Sequence, residues 1–119
     1  MLNNIPETAL YKMKHLRGNV GYFSEKGGTI GWITSGKNAG IIDTQFPDQV
    51  KNLLSEIKKI TDEKIEMVFN THHHSDHTAG NIVLKDLCKK FVAHENSLIN
   101  QRNAATAKNE LDKIQLPNI

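Results

Sequence analysis

One cysteine in 119 residues excludes an intrachain disulfide, so this chain cannot rely on the cross-links that small secreted domains use. Cys88 lies near Leu84 and Leu87 in a segment expected to be helical, where a buried thiol acts as a small hydrophobe rather than a nucleophile. No stretch approaches the 18 or so apolar residues of a membrane span, and Met1 to Thr8 lack the basic head and apolar core of a secretory signal. The default expectation is therefore a soluble, cytoplasmic chain with no membrane partner, although a secretory signal removed earlier would leave the same sequence. Charge of one sign is also missing, since 15 basic residues against 13 acidic ones leave a formal charge of +2. Aromatic residues make up 6% of the chain and form no stripe with the basic ones, which argues against a nucleic-acid partner. Repeats, linkers and low-complexity tracts are absent too. The length suits one small domain that buries about two-thirds of its unfolded surface.

What is abundant is histidine, in one place. Four of the six histidines fall between positions 72 and 77, in the stretch Thr71-His72-His73-His74-Ser75-Asp76-His77. Taken as His-x-His-x-Asp-His, it offers His72, His74, Asp76 and His77 as metal ligands. Imidazoles with a carboxylate suit zinc and other borderline divalent cations. Histidine and aspartate each occupy 6 of the 119 positions, so these four specified positions would arise by accident about 0.0007 times in a chain of this length. An expression tag would lie at a terminus, and this stretch is internal. Ser75 and His73 alternate with the ligand positions and are expected to point elsewhere.

Around that stretch the chain divides into elements. Residues 1–11, with Asn3, Asn4 and Pro6, show no sustained period and are expected to be an introductory segment. Segments rich in β-branched and aromatic residues, 19–23, 29–34 and 39–43, are separated by Glu25-Lys26-Gly27-Gly28 and Ser35-Gly36-Lys37-Asn38, which predicts an antiparallel meander of two hairpins. Pro47 can open a helix, and Val50, Leu53, Leu54, Ile57 and Ile60 recur at helical spacing, predicting an amphipathic helix over 47–60 that covers a sheet. The strand expected at 65–69 delivers the histidine loop from its C-terminal end, where α/β sheets place ligand sites. A helix carrying Ile82, Val83, Leu84, Leu87 and Cys88, a short strand at 91–93 and a helix over 95–108 complete the order. Trp32 is expected in the core, and His15 as an ordinary strand or surface residue.

With strand, Asp43, helix, strand and His72-x-His74-x-Asp76-His77 in this order, the chain from about Asn19 to Glu95 resembles the metallo-β-lactamase superfamily of metal-dependent hydrolases. The resemblance implies an α/β (α+β) fold, half of an αββα sandwich of two similar halves: a β-meander followed by β-α-β-loop-α-β-α, with residues 1–119 forming one incomplete domain. It implies a dinuclear site for zinc (one or two ions) or another divalent transition metal, with His72 and His74 on the first metal and Asp76 and His77 on the second. Two cations about 3.5 to 4 Å apart can activate a shared water for hydrolysis of a small-molecule substrate. Asp76 would serve as ligand and as catalytic base. Asp43, Asn70 and Thr71 match supporting residues behind the ligands, and on the residues alone the alternative for Asp43 is a turn residue capping the next helix. Complete members add a further histidine, a bridging aspartate and a last histidine downstream of the motif. Here only His94, Asp86 and Asp112 follow, and His94 does not match the missing position, so a structural role is expected for it. The implication is a site that is weak or incomplete alone, in a fragment, a truncated gene product, or a chain that pairs with a copy of itself or with a complementary C-terminal half. A non-catalytic metal-binding or interaction module is the alternative.

Overall fold

A computed structural model describes residues 11–119. Residues 1–10 of the expected introductory segment lie outside the described part, and Tyr11 already belongs to a strand. Six strands form one mixed sheet in sequence order: β1 (Tyr11–Arg17), β2 (Val20–Glu25), β3 (Gly28–Thr34), β4 (Asn38–Ile42), β5 (Lys64–Phe69) and β6 (Lys90–Val92). The first four pair antiparallel, while β4, β5 and β6 run parallel. Helix α1 (Pro47–Ile57) bridges β4 and β5, the short α2 (Ser75–Thr78) follows β5, and α3 (Glu95–Ala107) follows β6. This is the α+β, meander-then-β-α-β order that the sequence implied.

The meander has one strand more than expected. β1 escaped detection because Lys12, Lys14, His15, Leu16 and Arg17 are all exposed and only Met13 is buried. A strand at the sheet edge needs little apolar patterning, and its lysines discourage further pairing. The β2–β3 connection is the two-residue turn Lys26-Gly27, with φ of 51° and 80°, a geometry that right-twisted hairpins favour and that glycine adopts without penalty.

Alternation decides which face is covered. Phe23, Ile30, Trp32, Ile41 and Val68 point to one side and are almost fully buried beneath Val50, Leu53 and Ile57 of α1, with Leu84, Cys88 and Phe91 completing the core. Pro47 starts α1 as expected, but the helix stops at Ile57 rather than residue 60. There Lys59 N–H donates to Glu56 O (3.1 Å) and Ile60 N–H to Ile57 O (2.9 Å), so the last turn tightens to i→i+3 bonding. Glu56, buried on this helix, is satisfied by Tyr11 Oη (3.0 Å) and Lys59 Nζ (2.9 Å). Burial first, and then Glu56, push the Tyr11 phenol above its ordinary pKa.

On the opposite face Val20, Ile33, Ile42 and Phe69 stay 40–44% exposed. Ile33 pairs with Val20, and Ile42 with Phe69, so these side chains form a continuous apolar patch with no covering layer among the described residues. One face of the sheet is therefore complete and the other bare, as expected of half a sandwich. No described helix is long and apolar enough to cross a membrane.

Cys88 is 2% exposed, and its burial pushes the thiol above its ordinary pKa. At pH 8 a disulfide reagent should modify the native chain at least about tenfold more slowly than the chain in guanidinium, because the thiolate is the reactive form. Equal rates in a stopped-flow comparison would mean that Cys88 is not in the core.

Candidate metal centre

β5 ends at Phe69 in the middle of the parallel strands, and the chain turns there through Asn70 and Thr71 into the histidine loop. Two groups of side chains bring their ligand atoms within 4.8 Å of one another: His72 with His74 and Asp76, and Asp43 with His72 and His77. Tetrahedral zinc with bonds of 2.0 to 2.1 Å needs ligand atoms about 3.3 Å apart, so small side-chain rotations would close the first group around a cation. Three imidazoles and a carboxylate also match zinc in chemical type. His72 and His77 lie with ring centroids 4.0 Å apart, and His72 and His74 4.9 Å apart. Asp76 is expected with His77. The geometry puts it within 3.6 Å of His77 Nε2 and also gathers it with His72 and His74, so the loop does not divide cleanly into two pairs.

Asp43 explains why these rings present the right nitrogen. Its carboxylate is 5% exposed and can only accept hydrogen bonds while ionised. Oδ1 accepts from Thr71 N–H (2.8 Å), and Oδ2 accepts from Thr71 Oγ1 (2.7 Å) and from His77 Nδ1 (2.9 Å). His77 therefore carries its proton on Nδ1, leaving the Nε2 lone pair free. Thr71 spends its only hydroxyl proton on Asp43, so at the 2.9 Å contact with His72 Nδ1 it must accept. His72 is fixed in the same tautomer through one intervening hydroxyl. A single buried carboxylate thus sets two imidazoles, one directly and one in relay.

The segment that carries Asp43 is bent to reach the loop. Asp43 and Gln45 hold φ of 64° and 49°, left-handed values that cost non-glycine residues. Bonds across the gap hold the bend: Thr44 N–H donates to His77 O (2.9 Å) and Gly80 N–H to Gln45 O (2.8 Å). A Cβ on Gly80 would stand 2.2 Å from the Thr44 carbonyl oxygen, which is why only glycine fits. The helix expected through residues 82–88 is instead a 3-10 helix over Ala79–Leu84 followed by turns. Pinned to Gln45 at Gly80, the segment adopts the tighter form, with its longer rise per residue.

Asn70 lies behind the loop rather than beside the imidazoles. It exchanges side-chain bonds with Asn81 (2.7 and 3.1 Å) and accepts from Gln101 of α3 (3.3 Å), while Asn81 also accepts from Thr44 Oγ1 (2.8 Å). Sequence reasoning missed Thr44, Asn81 and Gln101. Three polar residues at buried positions of predicted elements were the available signal, but burial is not visible in one sequence.

Neither His73 nor Ser75 joins either ligand group among the described residues. The same holds for His94, Asp86 and Asp112. His94 caps α3, its Nδ1 accepting from Asn96 N–H (3.0 Å). His15 stacks on Trp32 and bonds Gly18 O beside the β1–β2 turn, at the other end of the sheet.

A sequence profile described as the Metallo-beta-lactamase superfamily matches residues 24–107, which include β3, β4, the histidine loop and α3. The chain belongs to that superfamily. It is 30% identical over 98 residues to the mitochondrial hydroxyacylglutathione hydrolase of Saccharomyces cerevisiae, covering 71% of this chain and 33% of that protein. It is 45% identical over 53 residues to the hydroxyacylglutathione hydrolase of Dictyostelium discoideum, covering 44% of this chain and 19% of the relative. Among solved structures the Rm3 metallo-beta-lactamase superimposes with a TM-score of 0.63 at 22% identity, covering 70% of this chain and 32% of that one. A B3 metallo-beta-lactamase with an active-site glutamic acid gives 0.66 at 22% identity, with 73% and 34% covered. At that identity the two structures speak for the fold alone. The chain thus spans about a third or less of the length of each of these proteins.

Two substitutions test the arrangement. Thr71→Val keeps the shape but breaks the relay to His72, and should lower zinc affinity in a competition titration by about 10- to 100-fold while costing only about 1 kcal/mol of stability. Gly80→Ala should cost about 1 to 3 kcal/mol through the clash with Thr44, read as a lower Tm.

Proposed function

We propose that this chain carries the metal-binding part of a zinc-dependent hydrolase of its superfamily. The convergence of His72, His74 and Asp76 beside the Asp43-oriented His77 carries that reading. Bound zinc would supply Lewis acidity toward a carbonyl or phosphorus centre and would make water more acidic. His72, His74 and His77 would hold the ion through their unprotonated nitrogens. Asp76, its side chain 63% exposed, can reach a water in the same space and take its proton at a carboxylate oxygen, so it serves as ligand and general base. Asp43, behind the rings, fixes their orientation without touching substrate.

A specific observation favours a second reading. His94 is engaged in capping α3 rather than gathered with the other histidines, and a module that binds zinc without turning over substrate fits the same geometry. In either case the bare face that exposes Ile33, Ile42 and Phe69 suits the second half of the family sandwich as its covering partner. A homodimer in solution would show instead that a second copy covers it.

Purified chain is expected to bind at least one zinc ion, and His72→Ala or His74→Ala to abolish stoichiometric uptake at micromolar zinc. Zinc-loaded chain is then assayed on a chromogenic β-lactam, an ester, a phosphodiester and hydroxyacylglutathione, the compound in the names of its relatives. The hydrolase reading expects one of these to be cleaved and Asp76→Ala to reduce that rate by about 100-fold or more. Zinc uptake without any turnover would select the binding module, and no zinc uptake at all would defeat both.

A further inference from the structure

We propose that residues 114–119 form a strap whose docking on β6 is coupled to metal uptake by the histidine loop, each event strengthening the other. This coupling rests on the metal-binding reading above and deepens it by naming what regulates that site.

β6 ends the sheet, and the strap covers its outer edge. Phe91 N–H donates to Asn118 Oδ1 (3.0 Å) and Asn118 Nδ2 donates to Lys89 O (2.9 Å), so one exposed side-chain amide takes the place of a neighbouring peptide group. Main-chain pairing continues from there. The N–H groups of Asn118 and Ile119 both donate to Phe91 O (2.8 and 3.3 Å), and Ala93 N–H donates to Ile119 O (3.5 Å). Of residues 114–119 only Pro117 is buried. Docking therefore depends on hydrogen bonds at a partly solvated edge rather than on apolar area, and a segment held in that way opens at far less cost than the core.

Two separate routes lead from the strap to the metal centre, and both reach Asn70. In the first, the strap bonds Phe91 and Ala93 on either side of Val92, whose carbonyl accepts from Asn70 N–H (2.9 Å). The second runs through side chains. Gln115 O accepts from Asn81 Nδ2 (3.3 Å), and the fully buried Asn81 exchanges bonds with the Asn70 side chain (2.7 and 3.1 Å). Asn81 also accepts from Thr44 Oγ1, so its amide is committed on every side and cannot turn over without losing partners. Ile114 adds a further contact, because it lines, with His73 and His74, the cavity of about 320 Å³ between the loop and α3.

Asn70 immediately precedes Thr71, the residue that sets the free nitrogen of His72. Lifting the strap takes an acceptor from the buried Asn81 amide and releases β6 on both sides of Val92, so the backbone that presents Thr71 and His72 loosens. An ion that holds His72 acts in the opposite direction and favours the docked strap. The two effects are equal in size, because a coupling free energy is reciprocal.

The test reads both directions on the full chain. Exchange of the Phe91, Asn118 and Ile119 amides with deuterium is followed by NMR, and zinc affinity by competition titration. Saturating zinc should slow exchange at these amides by about fivefold or more. Asn118→Ala removes both side-chain bonds at an exposed position, and Ile119→Pro deletes the N–H that pairs with Phe91 O. Each should lower zinc affinity by about fivefold or more, and by no more than the factor by which zinc slows exchange in the parent. A strap that only adds stability would lower the Tm of the variants and leave the zinc affinity of the folded chain unchanged. Zinc uptake with unchanged exchange at the strap, or with parental affinity in both variants, would overturn the coupling alone. No zinc uptake by the parent chain would overturn the metal-binding reading and the coupling with it.

Discussion

The carboxylate of Asp43 is the contact on which the site depends. It is buried where β4 gives way to α1, and it accepts from Thr71 twice and from His77 once. Those bonds join the β4 end to the loop after β5, two neighbours in a parallel pair whose connection is a whole helix. They also fix the free nitrogens of His72 and His77 before any ion arrives. Removing the carboxylate would leave two rings free to turn and a hydroxyl and amide without their acceptor. The left-handed backbone at Asp43 and Gln45 is the local cost of bringing the charge there.

Behind that carboxylate stands a layer of uncharged polar groups. Thr44, Asn70, Asn81 and Gln101 are all buried and bonded to one another, and they tie the ends of β4 and β5 to α3. Such a network is stable only when every member is satisfied, and it then holds its geometry more closely than an apolar core of the same size. The histidine loop, itself half exposed, is thus mounted on rigid neighbours. Its ligands remain accessible while its backbone is held at His77, Gly80 and Asn81.

The two faces of the sheet show how the same alternation serves different ends. Trp32 and Ile41 are paired and buried under α1, while their neighbours Ile33 and Ile42 point the other way and remain open. In a chain that covers about a third of its relatives' length, one layer is covered and positions the candidate metal centre, and the opposite face is apolar and open among the described residues.

Much of this was legible in the residues themselves. Ligand types and spacing in His72 to His77 follow from side-chain chemistry that needs no fold. The periods of 2 and 3.6 in β2 to β5 and in α1 follow from alternation against a single core. What the sequence did not carry was anything that depends on distance between remote segments. β1 has too few buried residues to show a period, because it lies at the sheet edge and buries only Met13. The 3-10 form of residues 79–84 follows from how closely Gly80 meets Thr44. The order of protons along His72, Thr71, Asp43 and His77 arises only when β4 and β5 lie side by side. One-dimensional order determined which groups this chain possesses; the folded arrangement decided which nitrogen His72 and His77 offer, because hydrogen bonds between distant residues exist only once the sheet has brought them within 3 Å.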